Sequence, residues 1–92
     1  MATGKFFHIF LRPNPGVTQE QIEERMNQSL DWFRYDVNVW IVYSSVDVHT
    51  LWARIKPLVE PNGNMFICEA NIQTFNGWMP TGFWNWLRKP RR

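Results

Sequence analysis

Residues 38–44 read NVWIVYS, and the alternation along them decides the architecture. Successive side chains of an extended strand point to opposite sides, so Val39, Ile41 and Tyr43 share one side and Trp40, Val42 and Ser44 the other. Both sides are apolar. Two neighbouring segments behave in the same way. Phe7, Ile9 and Leu11 alternate with Phe6, His8 and Phe10 in residues 5–11, and Met65, Ile67 and Glu69 alternate with Phe66, Cys68 and Ala70 in residues 65–70. A sheet built from these strands needs cover on both faces, and helices packed on one face leave the other with large apolar side chains.

Outward from residues 38–44, Asp36 to Asn38 supplies a turn, and residues 32–36 form a preceding strand of the same hairpin. Arg12-Pro13-Asn14-Pro15-Gly16 stops the first strand. A helix follows, with Thr18 as N-cap, Gln21 completing a capping box, Val17 and Ile22 as a staple, and Ile22, Met26 and Leu30 as its apolar stripe. Asp47 caps a second helix whose stripe is Leu51, Ile55 and Leu58, and Pro57 ends or kinks it. Pro61-Asn62-Gly63-Asn64 is a turn before the last strand. The order strand, helix, strand, strand, helix, strand predicts an α+β fold: a ferredoxin-like βαββαβ antiparallel sheet with two helices on one face.

The chain closes on GWMPTGFWNWLRKPRR, residues 77–92. Pro80 suits the first turn of a short aromatic helix, and Phe83, Trp84 and Leu87 lie on one side of it. Residues 1–87 read as a single domain and residues 88–92 as a basic C-terminal tail. That tail holds four of the ten Lys and Arg, leaving six basic against eight acidic residues elsewhere. Attraction for phosphate is therefore mostly a property of the tail. At 92 residues the chain buries only about 60–65% of its unfolded surface, so its 16% of aromatic residues are needed for packing.

Little points to catalysis. Cys68 sits mid-strand in an apolar run and reads as packing, and as a lone cysteine it fits a reducing compartment. His8 and His49 have no ligand-spaced Cys or carboxylate, so no metal site and no cofactor is expected. Asp31 with Asp36 is the one candidate carboxylate pair, and Glu69 is placed at a sheet margin. The longest apolar run is far short of the roughly 18 residues that span a bilayer. A cytoplasmic protein that does not enter a membrane is expected.

The segments VNVWIVYSSVDVHTLWARIKPLV (37–59), MFICEA (65–70) and GWMPTGFWNWL (77–87) together resemble the small bacterial proteins labelled SinR-like. That resemblance covers about residues 5–88, and its ending is the most specific part. It implies kinship with the VapD toxins and the small CRISPR adaptation-complex scaffold protein, which are ferredoxin-like homodimers linked to RNA cleavage or DNA binding. Nucleases of this type carry an Asp at the end of the first strand. Here Leu11-Arg12-Pro13 stands there, which disfavours metal-assisted cleavage and favours phosphate binding.

The expectation is therefore a non-catalytic homodimer. It contacts RNA or DNA weakly through Arg12, Arg88, Lys89, Arg91 and Arg92. Its interface with a second copy or another protein comprises Phe6, His8, Phe10, Trp40, Val42, Phe66, Trp84 and Trp86. A protein-interaction module or regulatory subunit docking through that aromatic face is the alternative, and a VapD-like ribonuclease a third. The face has three candidate covers: a second copy, the C-terminal segment or unstacked bases. Neither residues 38–44 nor residues 65–70 start with the basic residue and Gly of RNA-recognition strands, which favours a second copy over bases. Between a second copy and the C-terminal segment the choice stays open at this level.

Overall fold

The computed structural model describes residues 4–91. Strands β1 (Lys5–Arg12), β2 (Asp31–Asp36), β3 (Val39–Ser44) and β4 (Asn64–Ala70) form one antiparallel sheet in the order β2-β3-β1-β4. Three helices, α1 (Gln19–Met26), α2 (Val48–Ile55) and α3 (Thr81–Arg88), complete a small α+β fold.

Local signals set the helix ends. Thr18 accepts from the Gln21 backbone N–H while the Gln21 side chain accepts from Thr18 N–H, the reciprocal bonds of a capping box. Asp47 caps α2 through the Thr50 N–H, and that bond holds its carboxyl below the usual carboxylate range. At Pro57 the chain tightens into a 3₁₀ turn, Lys56–Leu58. The stripe of α1 is shorter than its spacing suggested. The helix ends at Met26, and Leu30 instead leads into β2, 58% exposed, with its N–H donated to the Tyr43 carbonyl.

The central pair β1–β3 separates two cores. On the inner side Ile9, Leu11, Trp40 and Val42 pack under Ile22 and Met26 of α1, Ile55 of α2 and Leu58. The Trp40 indole N–H is buried without a partner, a cost outweighed by burying the whole ring. The Arg34 guanidinium lies 4.7 Å from the Trp40 ring centroid and closes that side of the core.

On the outer side Phe6, Ile41 and Tyr43 pack against Phe83 and Leu87 of α3, with Phe33, Tyr35 and Trp86 around them. The C-terminal segment is thus the cover for this half of the outer face. Edge-to-face contacts of Phe33 and Tyr35 with Phe83, at 5.7 and 5.5 Å, seat the helix over β2.

Past α3 the chain folds back. Arg91, whose side chain is only 9% exposed, donates from Nη2 to Asp31 Oδ2 at 3.1 Å and to the Trp86 carbonyl at 2.9 Å. Its guanidinium faces the Trp86 ring at 4.4 Å, and Lys89 Nζ lies 3.6 Å from the same carboxylate. The basic tail is therefore partly structural, because Arg91 satisfies carbonyls that the end of α3 leaves free. Partial burial pushes the Asp31 carboxyl up. The Trp32 N–H, Arg91 and Lys89 outweigh it and hold the group below its ordinary value of 3.8. The Trp86 indole N–H adds at most a weak contribution, since it is buried without a hydrogen-bond partner among the described residues.

A group with a lowered folded pKa adds stability above its unfolded pKa and loses it as pH falls through the folded value. Asp31→Asn should cost about 1–2 kcal/mol at pH 7, the size of a charge-assisted bond at a partly exposed site. Urea titrations of the two proteins should show this gap steady from pH 7 to about 5 and closing below about pH 4. A gap that persists at pH 2.5 would assign the loss to packing instead.

Candidate functional site

The outer face is only partly covered. α3 lies over β2, β3 and the Lys5 end of β1, and it leaves a strip along β1 and β4. In the β1–β4 register His8 lies opposite Cys68, Phe10 opposite Phe66, and Arg12 opposite Asn64. These six therefore line one side of two paired strands. Phe66 is 64% exposed, Cys68 is exposed, and His8 and Phe10 are half-buried.

Arg12 is fixed over this strip by its neighbours. The Asn38 side chain donates to the Leu11 carbonyl at 2.8 Å, and Leu11 N–H donates to the Asn38 carbonyl at 2.8 Å. Asn14 N–H donates to the Leu58 carbonyl at 2.8 Å, and its side chain bridges the Glu60 carbonyl and the Asn62 N–H, both at 2.8 Å. Gly63 packs on the Arg12 carbonyl oxygen so closely that a Cβ would clash with backbone. With its main chain held, Arg12 extends its guanidinium to 5.6 Å from the Phe10 ring centroid. At the strip's inner margin His8 Nε2 lies 2.6 Å from the Tyr35 hydroxyl. Burial, then the neighbouring Asp36, push the Tyr35 phenol above its usual value, so it stays protonated beside His8.

The residues expected at the interface divide into four groups. His8, Phe10 and Phe66 lie on the open strip. Phe6 of β1 and Trp86 of α3 are turned toward each other between sheet and helix, with ring centroids 5.9 Å apart. Trp84 is half-buried, stacked on Phe75 at 5.8 Å and donating its indole N–H to the Met79 carbonyl at 3.1 Å. Trp40 and Val42 do not belong with them. The register sets Trp40 opposite Ile9 and Val42 opposite Phe7, on the helix side of the sheet, where both are completely buried. Cys68, expected to be packed, is exposed because β4 is an edge strand and α3 stops short of it. Glu69, at the same margin, lies 3.8 Å from Lys5.

Of the expected phosphate contacts, Arg12, Arg88 and Lys89 are exposed, Arg91 is half-buried with its side chain engaged by Asp31, and Arg92 lies outside the described residues. Arg88 lies 5.4 Å from the Trp84 ring centroid. Asp31 and Asp36, the expected carboxylate pair, sit at opposite ends of β2. Spacing along the sequence could not reveal that Asp31 receives Arg91. Among the described residues no group of three His, Cys, Asp or Glu is placed to hold a metal ion, and no helix is long and apolar enough to cross a membrane.

No protein-family model matches the chain, and no curated protein or solved structure is significantly similar to it.

The exposed thiol is directly checkable. Cys68 in the native protein should react with an aromatic disulfide reagent within a few-fold of its rate in urea. Protection by orders of magnitude would mean that another surface covers β4.

Proposed function

We propose that the chain is a non-catalytic binding domain that holds single-stranded nucleic acid weakly, with little sequence preference, along the open β1–β4 strip. The observation that carries this is the exposed Phe66 beside Phe10, with the Arg12 guanidinium 5.6 Å from the Phe10 ring centroid. Stacking platforms for unpaired bases combine such rings with cations that follow the backbone. Charge distribution supports it. The α3 side of the sheet carries Arg12, Arg88, Lys89 and Arg91 against Asp31, whereas the helix side mixes Glu20, Glu23 and Glu24 with Arg25, Arg34 and Arg54.

The strand order, with the first and third strands central, supports assigning the fold to the ferredoxin-like arrangement implied by the resemblance to SinR-like proteins. Under that resemblance, Arg12 stands near where the nucleases of this type carry an Asp, which favours binding without cleavage. The exposed Phe66 admits a second copy of the chain as the other occupant, so a homodimer competes with the strand for the same strip.

Fluorescence anisotropy with a labelled 20-nucleotide RNA or DNA strand tests the proposal. Dissociation constants should fall in the range of about 10⁻⁴–10⁻⁶ M at moderate salt. With Arg12, Arg88 and Lys89 as the phosphate contacts, the logarithmic salt slope should be about −2. Phe66→Ala should weaken binding by about tenfold, the loss of one stacked base, at unchanged melting temperature. No binding at 50 mM salt would remove the proposal. A concentration-dependent dimer that Phe66→Ala dissociates, without any binding of the strand, would assign the strip to a second copy.

A further inference from the structure

The open strip leads somewhere. Four residues beyond Phe66, about 13 Å along β4, Ala70 reaches an open cleft of about 700 Å³ between the start of β1, the end of β4, the loop after it and the end of α3. Lys5, Arg88, Lys89 and Arg91 line it, together with Gln73 and Phe75. Glu69 is the one carboxylate among its lining residues.

The cations are held unequally. Arg91 is fixed by its carbonyl contacts and Asp31. Lys5 is joined to Glu69 by an ion pair of 3.8 Å in which both side chains are more than half exposed, a pairing that contributes little and exchanges readily. Lys89 is similarly exposed, and its pairing with Asp31 at 3.6 Å is likewise a loose one. Arg88 has no carboxylate partner among the described residues and lies over the Trp84 ring. Phe75, stacked on that Trp84, presents a half-exposed ring to the same cleft.

A cleft with this lining suits a group of higher charge than the one negative charge of an internal phosphodiester. A terminal phosphate monoester carries about −1.5 to −2 at pH 7 and three acceptor oxygens, and adjustable cations can converge on all of them. Its nucleotide then has an aromatic face, Phe75, on which to stack. We propose that this cleft receives the phosphorylated end of the bound strand, so that the protein binds strand ends in preference to internal segments. The proposal rests on the binding of single-stranded nucleic acid along β1–β4, because the strip is what brings an end to the cleft.

One labelled 12-nucleotide sequence, prepared with a 5′-phosphate, a 3′-phosphate or hydroxyls at both ends, separates the two ideas. At pH 7.5 and 100 mM salt, one phosphorylated form should bind about tenfold more tightly than the hydroxyl-ended strand, the gain of one charge-assisted contact. In the double variant Lys5→Gln, Arg88→Gln that ratio should fall to one. In Arg12→Gln all three strands should weaken together with the ratio kept. Lys5, Arg12 and Arg88 are all exposed, so melting temperatures should not move. Equal affinity for the three strands, or a preference that survives the double variant, overturns the end-binding cleft and leaves the sheet strip standing. Failure of every strand to bind overturns both.

Discussion

Strand β3 has apolar side chains on both faces, and each face has to be covered. Burying a large apolar side chain contributes about 1.5–3 kcal/mol, so neither the Trp40 and Val42 side nor the Ile41 and Tyr43 side can be left to water in a domain this small. The inner side is met by α1 and α2, joined to the strands by short loops. The outer side is met by the last helix, which the chain reaches only after a long excursion from β4. α3 is therefore a part of the fold. Arg91, folded back onto Asp31 and the carbonyl of Trp86, holds its end in place.

The outer cover is short, and what it leaves open follows from its length. Eight residues of helix span about 12 Å, enough for β2, β3 and one end of β1 but not for a whole sheet face. The remainder is the β1–β4 strip with Phe10, Phe66, Cys68 and Arg12. Packing and surface chemistry thus partition one aromatic-rich face. Phe6, Phe33, Tyr43 and Phe83 hold α3 down, while Phe10 and Phe66 face outward. The Tyr35 to His8 contact marks the boundary between the two.

Much of the local structure was legible in the sequence. Thr18 with Gln21, Asp47, Pro57 and Pro80 mark helix ends because their effects act over three or four residues of backbone. Alternation in residues 39–44 marks a strand apolar on both sides for the same local reason. Leu30 was not legible: its spacing from Met26 fits a helix, yet its bond to the Tyr43 carbonyl draws it to the entrance of β2, a long-range hydrogen bond overriding a weak periodic signal. Cys68 was read as packed because its neighbours are apolar, but exposure of an edge strand depends on how far a distant helix reaches.

The sequence by itself determined which side chains share a side of each strand, where each helix starts, and that two apolar faces would exist. It could not determine which face each set joins, because alternation fixes relative direction and only strand register fixes partners. The tertiary structure put Trp40 and Val42 beneath the helices and Phe10 and Phe66 outside. It also turned Arg91 from a free cation into a paired one, because Asp31, sixty positions away in sequence, lies where the end of α3 comes to rest.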